Sequence, residues 1–365
     1  MQNILNNLSI YLHWPFCKSK CPYCDFFSQV KKNINQDAII SEYINQLDKY
    51  AQILPNKHIV SVFFGGGTPS LIKPSNINNI LQKIDKLWGI DNKCEISLEA
   101  NPNTNSPTLF QDLRLAGINR LSLGVQSLND DELKFLGRTH SSKEALDAID
   151  CILKNFNNHS ADLIYALPNQ TTKKWLQQLE KITSLGLKHI SLYQLTIEEN
   201  TLFYRKGIKP LCEKKATELY KLTEINLSSK GYLKYEVSNY AQHNYESKHN
   251  LGYWTGRDYI GIGQTAHGRI SYNNKFFAVS DPILLEELTP QQKAEELIIM
   301  GLRLTTGIDK EIFKQICGIN FDTFINQNFK NDAIKYNLIE ENNQHIKVTP
   351  KGFLLIDYLT TGLCS

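Results

Sequence analysis

The sequence predicts an α/β protein in which residues 1–235 form a partial, TIM-like (βα)6 barrel and residues 236–365 a helical, winged-helix-like module. Three observations predict it. Short β-rich runs alternate with amphipathic helical stretches over the first two hundred residues, the chemically unusual side chains fall where those runs end, and the beat stops after about Leu233. Six strands, each followed by a crossover, read as a parallel sheet wound in one sense. A doubly wound open sheet has the same beat, but a cluster of polar residues at the strands' carboxyl ends favours the barrel, where those ends converge.

In chain order, "SIYLHW" gives the first strand and Asp37 to Ile53 its helix, then "HIVSVFF" with a helix near Ile77 to Leu87, and "EISLEA" with Thr108 to Leu115. "RLSLGV" precedes helices at Asp130 to Leu136 and Ser142 to Asn155, "ADLIYALP" precedes Thr172 to Leu185, and "HISLYQL" closes the series. Beyond Leu233, "HNLGYWTGRDYIGIGQTAHGRI" is rich in glycine and aromatics and leads to a hairpin turning at Asn273-Asn274. From Pro290 the chain is helical again. "LIEENNQHIKVT" reads as a hairpin between helices near Phe321 to Lys335 and Gly352 to Leu359, which is the winged pattern.

At 365 residues with 41% hydrophobic and 21% charged side chains, the chain has the composition of a globular protein with a sizeable interior. A formal charge of +3 gives no reason to expect nucleic acid or an anionic membrane as partner. No apolar run approaches the roughly 20 residues that cross a bilayer. The amino-terminal stretch lacks a basic region followed by an apolar one, so a cytoplasmic protein is expected. Cys94, Cys151, Cys212, Cys317 and Cys364 are scattered singly, which suits a reducing compartment and a role as small buried hydrophobes.

The remaining cysteines are grouped. "CKSKCPYCDF" places Cys17, Cys21 and Cys24 at spacings of three and two with no fourth. A disulfide, a three-ligand zinc site, unliganded core residues and an iron–sulfur cluster compete for such a set. A cubane cluster ordinarily takes four thiolates, so three leave one iron with an open coordination position.

C-x3-C-x2-C after a first strand, with Tyr23 before the third cysteine, resembles the radical S-adenosylmethionine (SAM) superfamily. The resemblance implies that SAM chelates the open iron of a [4Fe–4S] cluster through its amino and carboxylate groups and is cleaved to a 5′-deoxyadenosyl radical. It also implies that "GGGTP" contacts the methionine amino group, which falls on Gly66, Gly67 and Thr68. Glycines without Cβ let a backbone approach a ligand closely.

Further along, the pattern Y-x-H-x-P-F-C, G-G-G-T-P, E, G-V-Q, R and D-L-I-Y-x-L-P resembles the coproporphyrinogen-dehydrogenase-like subgroup over nearly the whole chain. It adds Tyr11, Glu99, Gln126, Arg138 and Asp162 to the cofactor-binding set. A guanidinium suits SAM's carboxylate, and carboxylate or amide oxygens suit its ammonium and ribose hydroxyls. Taken one at a time, Glu99 and Asp162 could cap helices and Arg138 could be a surface ion pair. His13 is near the cluster by resemblance and otherwise a strand histidine.

Two kinds of protein share that pattern. The dehydrogenases carry a fourth cysteine two residues beyond the third, where this chain has Phe26; the haem chaperones have C-D-F, which Cys24, Asp25 and Phe26 spell. "HNLGYW" resembles the chaperones' haem-associated H-N-x-x-Y-W element and makes His249, Asn250, Tyr253 and Trp254 haem-binding candidates, with His243 and His267 in reserve. An imidazole can ligate iron, and the aromatics can pack on a macrocycle. The implied function is haem transfer to an acceptor haemoprotein, with an electron donor that the sequence does not identify. Its alternative is radical oxidative decarboxylation of coproporphyrinogen III, so enzymatic activity stays open. The sequence admits a homodimer and a transient membrane-protein client.

Overall fold

Side-chain chemistry alternates along the first strand, with Leu8, Ile10 and Leu12 on one side and Ser9, Tyr11 and His13 on the other, and both sides are largely buried. The computed structural model describes residues 6–104 and 107–364; residues 1–5, part of the amino-terminal stretch read for a targeting signal, lie outside them. The six expected strands form: β1 (Asn7–Trp14), β2 (His58–Gly66), β3 (Glu95–Ala100), β4 (Arg120–Gln126), β5 (Asn158–Tyr165) and β6 (His189–Gln194). Neighbours pair in parallel from β1 through β6. The helices between them are α1 (Gln36–Ile53), α2 (Pro74–Trp88), α3 (Pro107–Leu115), α4 (Asp130–Phe135), α5 (Ser142–Asn155) and α6 (Thr172–Ser184).

Local chemistry starts these helices where they start. Asn35, Asn129 and Thr171 accept a backbone N–H at their helices' first turns, and Ser141 with Glu144 forms a reciprocal capping box for α5. One face of the sheet then packs on the helices: Leu8, Ile10 and Leu12 of β1, Leu121, Leu123 and Val125 of β4 and Leu163 of β5 join Leu47, Ile80, Phe110, Ile149 and Trp175 in one core. The other face is polar. Ser9, Ser61, Ser97, Ser122, Ser160 and Ser191, one from each strand, are all buried. Branched aliphatics usually fill this position in closed barrels; hydroxyls there leave room for a hydrogen-bonded interior.

After α7 (Leu202–Arg205) and α8 (Glu213–Ser229), β7 (Leu233–Lys234) and β8 (Asn239–Ala241) add antiparallel to the β6 edge. The helix α9 (Lys248–Trp254) follows, and then a strand that the repeating pattern did not reveal: β9 (Asp258–Ile262) pairs in parallel with β1. Gly261 lets the chain after β9 fold back against it, because a Cβ would meet the His267 carbonyl oxygen at 2.4 Å. From β9 an antiparallel meander continues through β10 (His267–Tyr272), β11 (Lys275–Ser280) and β12 (Leu284–Leu288). Asn273 and Asn274 turn the β10–β11 hairpin with positive φ of 50° and 59°, as the sequence suggested. The result is a single 12-stranded sheet in the order β12-β11-β10-β9-β1-β2-β3-β4-β5-β6-β8-β7, with β1 and β6 not paired to one another. The sheet and its core run past residue 235 without interruption.

A second core begins at Ala294 and holds α10 (Pro290–Gly301), β13 (Ile308–Asp309), α11 (Lys310–Cys317), α12 (Phe321–Phe324), α13 (Gln327–Lys335), β14 (Ile339–Glu341), β15 (His345–Val348) and α14 (Ile356–Cys364). Three short strands, β13-β15-β14, make the wing. No helix among the described residues is long and apolar enough to cross a membrane. Of the five single cysteines, Cys94 and Cys317 are buried as expected and Cys151 and Cys364 partly so, but Cys212 is exposed because it caps α8 at the surface.

Candidate cluster and cofactor site

The cysteine loop is held against the glycine run by backbone hydrogen bonds. Gly67 N–H donates to the Trp14 carbonyl at 2.7 Å and Thr68 N–H to that of Phe16 at 2.9 Å, while Cys24 N–H closes a turn on Cys21 at 3.1 Å. Contact is close enough that side chains are excluded. A Cβ on Gly67 would meet the Phe16 carbonyl oxygen at 2.7 Å and Cys17 Sγ at 3.0 Å. Gly66 has a φ of +107°, and a Cβ on it would strike the His13 ring at 2.7 Å.

Cys17, Cys21 and Cys24 open with Gly66, Gly67, Thr68, Glu99, Gln126, Arg138 and Asp162 onto one cavity of about 350 Å³. The structure therefore brings together residues separated by up to 145 positions, all but one of them at or beyond strand carboxyl ends. All three thiols are free of disulfides, and burial, ahead of the other influences, holds that of Cys24 up. Among the described residues no three His, Cys, Asp or Glu side chains converge on a single metal-ion position.

The strand ends supply the polar groups in distinct ways. At the end of β4 the register with β5 slips between Gly124 and Gln126, and Gln126 takes a φ of +65°. Such a bulge re-aims a side chain, and left-handed backbone at a non-glycine is strain tolerated where the site needs it. Arg138 donates to the Gly124 carbonyl at 2.9 Å, to Cys21 Sγ at 3.4 Å and to Asn101 Oδ1, so its guanidinium lies along the cavity wall instead of in solvent. Glu99 is pushed up to about 8, by burial first and by the Asp162 carboxylate second, against a stabilising backbone N–H from Gly66. Asp162 is also raised by burial, although Ser122 Oγ donates to both its oxygens at 3.0 and 3.1 Å.

Tyr11 lies one layer deeper. Its hydroxyl meets His13 Nδ1 at 3.0 Å, and both residues line a neighbouring cavity of about 650 Å³. His13 Nε2 is spent on the Phe27 carbonyl at 3.0 Å. Asn101, Tyr193 and Gln194 also line the 350 Å³ cavity and were not singled out from the sequence. Tyr193 and Gln194 end β6, so the strand-end rule that located Glu99 and Gln126 would have located them too.

The "HNLGYW" element sits elsewhere than expected. Instead of an open surface beyond the barrel, Lys248–Trp254 is a helix whose amino end is buried: His249 N–H donates to Glu95 Oε1 at 3.1 Å, and Ser247 Oγ and Lys248 N–H donate to the same carboxylate. His249 is 1% exposed. Its Nδ1 bonds Ser61 Oγ at 2.9 Å, its Nε2 bonds Tyr253 Oη at 2.8 Å, and its ring stacks on Phe63 at 4.8 Å. Burial, with Arg257 and Arg120 nearby, pushes its imidazolium down to about 3. Both nitrogens are occupied, so His249 has no lone pair to offer iron in this arrangement. Asn250 and Tyr253 line the small polar chamber inside the barrel, and Trp254 the 650 Å³ cavity. His243 and His267 are both outside that helix.

Comparison with known proteins identifies the family and the fold. Residues 11–182 match the Radical SAM superfamily and residues 288–355 the HemN C-terminal domain. Coproporphyrinogen III oxidase (HemN) from Escherichia coli has the same fold, with a TM-score of 0.83 at 20% identity over 100% of this chain and 91% of that one. The heme chaperone HemW of Buchnera aphidicola subsp. Schizaphis graminum is 43% identical over 268 residues, 73% of this chain and 71% of that protein. The heme chaperone HemW of Haemophilus influenzae is 34% identical over 96% of each chain. With its thiols, glycines and strand-end polar groups gathered at one cavity, the chain belongs to the HemW family of radical SAM proteins.

Proposed function

We propose that this protein is a haem chaperone, which holds a [4Fe–4S] cluster and SAM in the barrel and carries haem to an acceptor apo-haemoprotein in the cytoplasm. The donor set fits the cluster: three free thiols share a cavity, and the glycines beside Cys17 leave no room for anything but backbone. Cys17, Cys21 and Cys24 would each ligate an iron, leaving the fourth for SAM. Arg138 would take the SAM carboxylate, Gly66, Gly67 and Thr68 would lie against the amino group, and Glu99, Gln126 and Asp162 would serve that same nitrogen and the ribose hydroxyls. Tyr11 holds the His13 ring against Gly66 and so shapes the same wall. When bound, the cluster supplies an electron for SAM cleavage.

The observation that favours chaperone over dehydrogenase is Phe26. It stands where the dehydrogenases carry a fourth cysteine, and it is 62% exposed on the rim shared by both cavities. A phenyl ring offers no proton, charge or metal bond to a porphyrinogen propionate. Anaerobic reconstitution tests the reading: the chain should take up about four irons and four sulfides, lose them in each of Cys17→Ala, Cys21→Ala and Cys24→Ala, and bind haem saturably. Given SAM, a strong reductant and coproporphyrinogen III, it should form no protoporphyrinogen above background. Robust decarboxylation would promote the dehydrogenase instead.

A further inference from the structure

With His249 closed to iron, haem needs another seat, and the 650 Å³ cavity has the chemistry for it. Its volume falls within the roughly 300–1,000 Å³ of cofactor pockets. Phe26, Gly66 and Glu99 belong to it and to the thiol cavity, so the two are adjacent. Tyr253, Trp254, Tyr259 and Leu297 give it broad apolar walls, with Tyr253 and Tyr259 packed edge to face at 4.6 Å. Flat aromatic and aliphatic surface suits a macrocycle.

Its charges do not cancel. Three cations line it: Arg257, Arg269 and Lys293. Arg269 is paired with Glu296 at 2.7 Å, and the nearby Asp258 is paired with Lys57 at 2.9 Å. Arg257 donates to the Lys248 carbonyl at 3.1 Å and has no ion pair among the described residues. Lys293 is 5% exposed and its ammonium has neither hydrogen bond nor ion pair among them. Burial accordingly holds that ammonium below its ordinary range, ahead of the opposing pull of Glu296 and Asp258. An uncompensated buried charge is costly, and a carboxylate partner relieves it. Lys293, with the half-buried Arg257 in the same largely apolar cavity, calls for a dicarboxylate.

One imidazole remains. His13 has both ring nitrogens bonded. His267, the first residue of β10, lines the same cavity, is exposed, and makes no side-chain hydrogen bond among the described residues.

We propose that haem binds in this cavity, with His267 as an iron ligand and Lys293 and Arg257 receiving the two propionates. The assignment rests on the chaperone reading and locates its cargo. Haem titration of the reconstituted full-length protein tests it. Wild type should bind saturably with a shifted Soret band. His267→Ala should change the Soret position and the low-spin signal, and added imidazole should restore both. Lys293→Met should weaken haem binding about tenfold or more, leave the affinity for haem dimethyl ester unchanged, and still weaken metal-free protoporphyrin, for which His267→Ala should have no effect. Neither residue lines the thiol cavity, so retained cluster absorbance and SAM binding report that each variant is folded. If wild type takes up no haem, the chaperone reading falls and this site with it. If wild type binds haem while both variants match it in spectrum and affinity, the chaperone stands and the site is overturned.

Discussion

Glu99 is the residue whose chemistry depends most on its surroundings. In the fold its carboxyl titrates near 8 against an ordinary 4.5, because burial and Asp162 both oppose the charge. Between those values the folded chain keeps a proton that the unfolded chain has released, so stability falls as pH rises through this window. At roughly 1.4 kcal/mol per pH unit the loss reaches about 5 kcal/mol by pH 8. His140, His159 and His249, held down by burial, add stability over the lower part of the same range, so the comparison is between variants: from pH 5 to pH 8 the urea midpoint of SAM-free Glu99→Gln should gain steadily on that of the wild type. Parallel curves would give Glu99 an ordinary carboxyl. Its place on the cavity wall was legible in the sequence, since Glu99 lies at the end of an apolar strand. Its protonation was not, because that depends on Asp162, contributed by β5 two strands away.

At the scale of elements, helices and strands with strong local signals were legible, and those stabilised from a distance were not. Ser141 and Glu144 mark the start of α5 three residues apart, and β4 carries its own run of buried residues. By contrast α9 is only 7 residues long, and the carboxylate that receives its amino-terminal N–H groups, Glu95, lies more than 150 residues away in sequence. Read locally, "HNLGYW" is a glycine-containing aromatic stretch with a histidine that a haem could use. In the fold that histidine is the pin between α9 and β2. His249→Ala removes a stacked ring and leaves Ser61 and Tyr253 each short of a partner, which should cost about 2–4 kcal/mol. Urea unfolding should show that loss, and His249→Gln should recover part of it. The haem spectrum of His249→Gln should match wild type; an altered Soret band in a folded variant would return His249 to the iron.

At the scale of the whole molecule, the packing divides the chain later than its rhythm does. The beat of strands and helices stops near Leu233, but β9 and the meander after it extend the same sheet, and the first core's buried members run from Leu8 to Val279. The second core starts at Ala294, with Val237 the one partly buried residue it draws from before α10. A chain ending at Leu288 should consequently fold by itself, as a single peak in size exclusion with cooperative unfolding. Every residue lining the thiol cavity lies before position 199, so this fragment should reconstitute its cluster and bind SAM like the intact protein. The larger cavity would lose Lys293, Glu296, Leu297 and Met300, its α10 wall. Haem affinity should then fall at least tenfold, the loss of one charged contact alone being worth about that much. Undiminished haem binding by the fragment would place haem on the barrel side, away from α10. Failure of the fragment to fold would show that the two cores act as one cooperative unit.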